Sequence, residues 1–263
     1  MKIKLLETSL NLRIEREKNI EYKHFAEVGI AQKEQDVHII ANVEDMNCEA
    51  GEYKKCLEDY NAIEALDDWQ GRGVSCYVIK TLEAEKVSSF SKPHFLHVRL
   101  NVKGDNGENK KINLIIFRIL VSNQSEDDFK SRKKQFDKVM KYIDDLDDKE
   151  NLILTGDWNH GVINDSGIYR KDSPRYFYNY QYIEKALEQR GITIVRISGY
   201  SYKVSDNFYL KIDHLAVSGS DIKEIKADYV DLFKDQCRQI GIPDHKCIYA
   251  EFEMGTSKNR FEK

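Results

Sequence analysis

Residues 152–160, Leu-Ile-Leu-Thr-Gly-Asp-Trp-Asn-His, constrain this chain more than any other stretch. The apolar run reads as a buried strand, glycine stops it, and Asp157 and Asn159 are delivered at its tip. A strand that gives way to an acid and an amide places ligand-type side chains at the edge of a sheet. Gly, Asp and Asn are also turn formers, so the run alone would mean only a turn. Its weight comes from other strand-like runs that end in similar residues.

Those runs alternate with helical patterns. Residues 2–12 and 36–41 read as strands joined by a helix within 17–35, which suggests parallel pairing with both faces covered. The second strand leads into Asn42, Glu44 and Asp45. Tyr53, Cys56, Leu57, Tyr60 and Ile63 recur at helical spacing and predict a helix over 52–66, closed by the turn at Gly71 and Gly73. Residues 74–79 are strand-like, and 95–102 with 112–120 form an antiparallel hairpin whose long tip spans 103–110. A hairpin beside parallel crossovers implies a mixed sheet.

The best-defined helix follows. Ser125 and Asp128 resemble a capping box with aspartate in the usual Glu position, and Phe129, Phe136, Val139, Met140, Ile143 and Leu146 mark one apolar face. Beyond the central strand and a polar loop over 161–172, Ser173-Pro174 opens a helix that Gly191 ends. Strands are expected at 192–197, at 211–218 with Asp213 near its start, and at 246–252. Residues 225–232 are less clear, and 199–209 form a Tyr/Ser-rich loop. No linker or repeat interrupts the chain, so residues 1–263 are expected to form one domain.

Composition narrows the function classes. The chain has 263 residues, 41% of them hydrophobic and 33% charged, with three prolines, so a substantial core is expected. Its net charge of -4 means that an anionic partner must be held by a local basic patch or through a cation. No apolar run reaches membrane-spanning length, and the start lacks a signal-peptide core. A cytoplasmic protein without membrane attachment is therefore expected, with no obvious protein partner. The five cysteines, at 48, 56, 76, 237 and 247, form no CxxC pair, which argues against a disulfide framework or structural zinc.

Glu44, Asp157, Asn159 and Asp244 all fall at strand tips or in adjacent loops. Oxygen donors suit a hard cation such as Mg²⁺ and leave room for phosphate oxygens. His245 is the acid/base candidate, because imidazole exchanges a proton near neutral pH. Asp213 can orient it by accepting from its other ring nitrogen.

In order and spacing, Asn11, the segment Val37–Glu44, Gly156-Asp157-Trp158-Asn159, Ile212-Asp213-His214 and Pro243-Asp244-His245 resemble the endonuclease/exonuclease/phosphatase (DNase I-like) superfamily, from residue 2 to about 252. The resemblance implies a four-layer α/β sandwich with two mixed central sheets and a Mg²⁺- or Mn²⁺-dependent hydrolase of phosphoester bonds. On the same resemblance, Glu44 and Asp244 look like metal-side acids and Asp157 like the acid that activates the attacking water. Asn159 looks like the amide that holds the scissile phosphate, Asp213 like the orienting partner, and His245 like the residue nearest the reacting phosphate. Asn11 matches the amide at the end of the first strand.

The departures matter too. Val43 stands where the family has glutamine, Leu10 where it has an aromatic, and Arg13 where some nucleases have an acid near the metal. Arg118 stands where many members have a phosphate-contacting histidine or tyrosine, and a guanidinium can clamp phosphate in bidentate fashion. Residues 169–182 interleave basic and aromatic side chains that could hold a backbone and stack bases; the same aromatics also fit the buried face of a helix. Tyr200, Tyr202 and Tyr209 offer another rim for a base. The expected substrate is nucleic acid, cut as a phosphodiester. The alternatives are a phosphomonoesterase acting on a small phosphorylated ligand, and an inactive binding module on the same fold.

Overall fold

The computed structural model describes residues 1–10, 25–45, 51–67, 72–103, 107–163, 172–232 and 245–255. In chain order the first elements are β1 (Lys2–Ser9), α1 (Phe25–Lys33), β2 (Ile39–Asp45), α2 (Gly51–Cys56), β3 (Tyr60–Asp67), β4 (Arg72–Ile79) and β5 (Glu83–Phe90). Next come β6 (His94–Lys103), β7 (Asn109–Arg118), α3 (Glu126–Asp144) and β8 (Leu152–Ile163). A 3₁₀ turn (Pro174–Asn179) leads into α4 (Gln181–Glu188), β9 (Thr193–Ile194) and β10 (Tyr202–Ser205). The last strands are β11 (Phe208–Ser218), β12 (Ile222–Val230) and β13 (Cys247–Met254). No described helix is long and apolar enough to cross a membrane.

The strands form two mixed sheets. One runs β12-β13-β1-β2-β4-β3, with β1 and β2 parallel; the other runs β10-β11-β8-β7-β6-β5, with β7 and β8 parallel. Period-2 alternation explains how both faces of each sheet are filled. From β7, Ile112, Leu114 and Ile116 point into the space between the sheets, where they meet Leu5, Ile39 and Val74. Ile115 and Phe117, the residues between, point outward and pack under Phe136, Val139 and Ile143 of α3. On the far side, Leu6, Ile40 and Tyr77 pack against Val28, Ala31 and Tyr53 of α1 and α2. Two central sheets between two helical layers make the expected four-layer α/β sandwich.

Helix α3 starts where its cap dictates. Ser125 Oγ accepts from the Asp128 amide at 3.2 Å, while Asp128 accepts from the Ser122 and Gln124 amides, each at 3.0 Å. The aspartate therefore caps the loop before the helix rather than the Ser125 amide that a capping box would reach. It also holds Arg132 one turn on, with Nε donating at 3.0 Å.

Several boundaries differ from the sequence expectations. The helix over 52–66 ends at Cys56, and residues 60–67 become β3, paired along its length with β4. Tyr53, Leu57 and Tyr60 do share a buried face, but the open edge of β4 outcompetes further helical winding. Strand β5 carried little signal because it is a mostly exposed edge strand. The first helix is described only from Phe25, and the second strand runs over 39–45 rather than 36–41. The helix after Pro174 is broken at Tyr180, whose φ of 80° is left-handed, and the strand expected over 192–197 is only Thr193–Ile194. The Tyr/Ser-rich loop contains β10, and 222–230 is a full strand. Cys56, Cys76 and Cys247 are free, and burial pushes the thiols of the latter two up; Cys48 and Cys237 lie outside the described residues.

The largest correction concerns the central run. Gly156 does not end β8, which continues through Asp157, Asn159 and His160 to Ile163 because β11 pairs with it on both sides of the glycine. Gly156 serves a different purpose. Its φ is +132°, and a Cβ there would lie 2.2 Å from the Phe117 carbonyl oxygen of β7. Gly156→Ala should therefore cost about 3 kcal/mol or more, through backbone strain added to a collision with main chain. Urea unfolding of wild type and variant checks this, and coincident midpoints would contradict it.

Candidate active site

Strand direction gathers the site. Because β1 and β2 are parallel, their C-terminal ends share one edge, and the antiparallel β13 brings its own start to that edge. In the second sheet β7 and β8 are parallel, and β7 ends beside Asp157, midway along β8, with β11 running back alongside β8. Both sheets thus present Glu44, Arg118, Asp157, Asn159 and His245 to one cavity of about 330 Å³. Tyr202 lines it as well, bridging to His245 with ring centroids 4.9 Å apart.

Asp157 and Asp213 are partners in the β8–β11 ladder, each almost wholly buried at 2% and 0% exposure. Asp213 therefore lies in mid-strand, not near its start. Opposed side chains in a ladder sit about 5 Å apart at Cβ, and like charges there repel. Burial, with Asp213 alongside, pushes the Asp157 carboxyl up to about 7. Donors partly answer the charge. The Asn159 amide donates to Asp157 Oδ1 at 2.9 Å, and Asn159 Nδ2 donates to Oδ2 at 2.7 Å. Nδ2 also donates to the Ile119 carbonyl at 2.8 Å, tying this hairpin of polar contacts to the end of β7. His245 Nδ1 donates to Asp213 Oδ2 at 2.8 Å.

Asp213 is fixed from several sides. Its amide donates to Ser201 Oγ at 3.2 Å, and the Tyr229 hydroxyl donates to its carbonyl at 2.8 Å. Its Oδ1 is buried without a hydrogen-bond partner, as are both carboxylate oxygens of Glu7 on β1. Burial, followed by Asp213, holds Glu7 well above the ordinary carboxylate range. Ligand atoms of Asp157, Asp213 and His245 lie within 4.8 Å of one another, a cluster able to coordinate a metal ion. Two opposed carboxylates, an imidazole and an orphaned oxygen suit a bound cation.

Glu44 is reached by a different route. It has φ of 52° and is the extra residue at a register shift between β2 and β4, a bulge that redirects its side chain. Arg118 Nη2 pairs with its Oε1, and Arg118 Nε lies 3.5 Å from Asp157 Oδ2. Ser9 Oγ donates to Glu44 Oε2 at 3.4 Å. Asn159, with φ of 49°, is a second left-handed non-glycine residue at the cavity.

Asn11 and Asp244 lie outside the described residues. Sequence reasoning missed Glu7, whose only signal was an acid inside an otherwise buried strand, and Arg132, which lines the cavity while paired with Asp128. Of the basic and aromatic stretch, Tyr178 reaches the cavity, whereas Phe177 is core. Tyr200 and Tyr209 stack on each other at 4.3 Å and do not line it. His160 and His214 adjoin site residues but are buried behind them: His214 Nε2 meets the His160 carbonyl at 2.6 Å, and burial holds both imidazoles down, His214 at about 4.

No protein-family model and no curated protein sequence matches the chain. Solved structures do. A beta toxin from Staphylococcus aureus superposes with a TM-score of 0.66 at 14% identity, covering 94% of this chain and 99% of the toxin. TDP2 from D. rerio, complexed with a single-strand DNA product, gives 0.62 at 14% identity, covering 96% and 99%. An endonuclease/exonuclease/phosphatase family protein from Bacteroides thetaiotaomicron gives 0.61 at 15% identity, covering 97% and 99%. The fold is that of the DNase I-like endonuclease/exonuclease/phosphatase superfamily.

The raised Asp157 carboxyl has a thermodynamic signature. Unfolded, an aspartate ionises near pH 4, whereas in the folded chain it keeps its proton to about 7. Between those values the native state binds more protons, so in EDTA stability falls as pH rises, by up to about 1.4 kcal/mol per pH unit from this group. Asp157→Asn should flatten that fall between about pH 5 and 7. Urea titrations across the range check it, and equal slopes in the two proteins would contradict it.

Proposed function

We propose that this chain, with the superfamily's fold and a buried Asp/Asp/His cluster, is a divalent-metal-dependent phosphoester hydrolase, and that its substrate is a nucleic-acid phosphodiester. The observation that carries the reading is the pairing of Asp157 with Asp213 across one ladder beside His245, with Asp157 and His245 lining a cavity. Asp157 and Asp213 are the residues of that cluster that would hold Mg²⁺ or Mn²⁺, with His245 beside them. Such an ion, when bound, supplies Lewis-acid polarisation of a phosphate oxygen and favours ionised carboxylates.

The chain's own groups supply the rest. Asp157 accepts a proton from the attacking water, and Asn159 fixes the carboxylate for that role. Asp213 orients His245 through Nδ1, leaving Nε2 to carry a proton at an oxygen in the cavity. Arg118 supplies positive charge where the phosphoryl oxygens gather charge. Tyr202 and Tyr178 provide aromatic walls on which a base can stack. The DNA product carried by the D. rerio TDP2 structure supports a nucleic-acid substrate.

A small phosphorylated ligand is the second reading. It is favoured by the cavity's modest volume, about 330 Å³, and by the chain's net charge of -4, since small-molecule sites of this size bury most of a ligand.

A panel of single-stranded and duplex DNA, RNA and small phosphoesters, incubated with Mg²⁺, Mn²⁺ or EDTA, separates the readings. Strand scission that needs the ion is expected, with Asp157→Asn and His245→Ala each lowering kcat by about 10²-fold or more while the fold persists. Release of inorganic phosphate without scission would move the assignment to the small-ligand reading. Binding without turnover at any ion concentration would make the chain a binding module.

A further inference from the structure

The Glu44 corner of the cavity already contains a positive charge. Arg118 is the last residue of β7, and its side chain is 7% exposed. Its guanidinium reaches two carboxylates that come from different sheets, Glu44 on β2 and Asp157 on β8. Both Glu44 oxygens therefore have a partner within the chain, Arg118 at Oε1 and Ser9 at Oε2. Glu44 is not part of the Asp157/Asp213/His245 group whose donors converge.

We propose that Arg118 is a tethered cation that occupies the Glu44 corner in competition with a divalent ion, so that Glu44 is a partner of Arg118 rather than a ligand, and the ion affinity of the centre is set by Arg118. The inference rests on the reading that this centre takes Mg²⁺ or Mn²⁺. Two features of the structure favour it. The bulge at Glu44 aims its carboxylate at the end of β7, where the guanidinium lies. The guanidinium also flanks Asp157, which belongs to the convergent group, so its charge opposes a second cation on both carboxylates. Removing it frees Glu44 and relieves Asp157 of a neighbouring positive charge, and both changes favour a divalent ion.

Isothermal titration with Mn²⁺ on wild type, Arg118→Gln, Glu44→Gln and the double variant tests the proposal without measuring turnover, with thermal melts to verify folding. Arg118→Gln should bind Mn²⁺ roughly tenfold tighter or more, a step of about 1.4 kcal/mol per tenfold. Glu44→Gln alone should stay within about threefold of wild type, and the gain should shrink in the double variant to the part that comes from relieving Asp157, because coupled sites give non-additive changes. If Arg118→Gln leaves its Glu44 partner unpaired and fails to fold, Glu44→Gln alone decides. A loss of about tenfold or more in that single variant would mark Glu44 as an ordinary ligand and overturn the proposal. Unchanged or weaker binding by folded Arg118→Gln would overturn it too, and either result leaves the hydrolase reading standing because Mn²⁺ still binds. Absence of Mn²⁺ binding in all four proteins would overturn both.

Discussion

Two carboxylates facing each other across a β-ladder set the terms for everything near them. Asp157 and Asp213 are in-register partners on buried strands, so neither can swing into solvent without breaking the β8–β11 pairing. Loss of hydration, and then the neighbouring Asp213, disfavour the ionised form of Asp157. Such a pair persists only where the surrounding structure over-determines it. Here the same ladder is anchored on one side by Leu152–Thr155 against Leu215–Ser218 and on the other by Val162 and Ile163. Donors then reach the pair from three directions: Asn159 from β8 itself, Arg118 from β7, and His245 from beside β13.

The rest of the architecture makes that arrangement tolerable. Burying one Ile or Leu side chain contributes about 1.5–3 kcal/mol, and one buried polar atom without a partner costs about 1–3 kcal/mol. Each orphaned oxygen beneath the site is thus offset by roughly one core residue, and the space between the sheets holds many. Glu7 shows the arrangement at its extreme: wholly buried, with neither carboxylate oxygen hydrogen-bonded, it sits on a strand whose neighbours Leu5 and Leu6 each belong to a different core. Mounting the polar groups on strands clamped from both faces also fixes their directions more tightly than loops would.

How much of this was legible in the sequence follows from where the signal lay. The doubly buried strands announced themselves as continuous apolar runs, and α3 announced itself by Ser125 and one apolar face, so the layered fold and most element types could be read. Strand β5 could not, because an exposed edge strand shows no alternation, and β3 hid behind helical spacing that extended past the true end of α2. At the site, residue types at strand ends indicated Glu44, Asp157, Asn159, Asp213 and His245, and the structure brings these to one edge. What no spacing could show was who answers whom. The opposition of Asp157 to Asp213 depends on ladder register, the Arg118 to Glu44 pairing depends on a bulge, and Glu7 matters only because two sheets stack above one another.

Charge pairing also explains how a net-negative chain can line its cavity with arginines whose charge is answered locally. Two arginines line the cavity, and each is already matched to acids: Arg118 to Glu44 and Asp157, and Arg132 to Asp128. Asp128 is itself committed, since it caps the amides of Ser122 and Gln124 and so holds Arg132 while fixing the loop before α3. A phosphate approaching from outside therefore meets cations whose fields are largely cancelled at long range. Attraction grows only at contact, where a guanidinium can share its donors between carboxylate and phosphate oxygens. Recognition built this way would depend on fit within the cavity rather than on steering from afar.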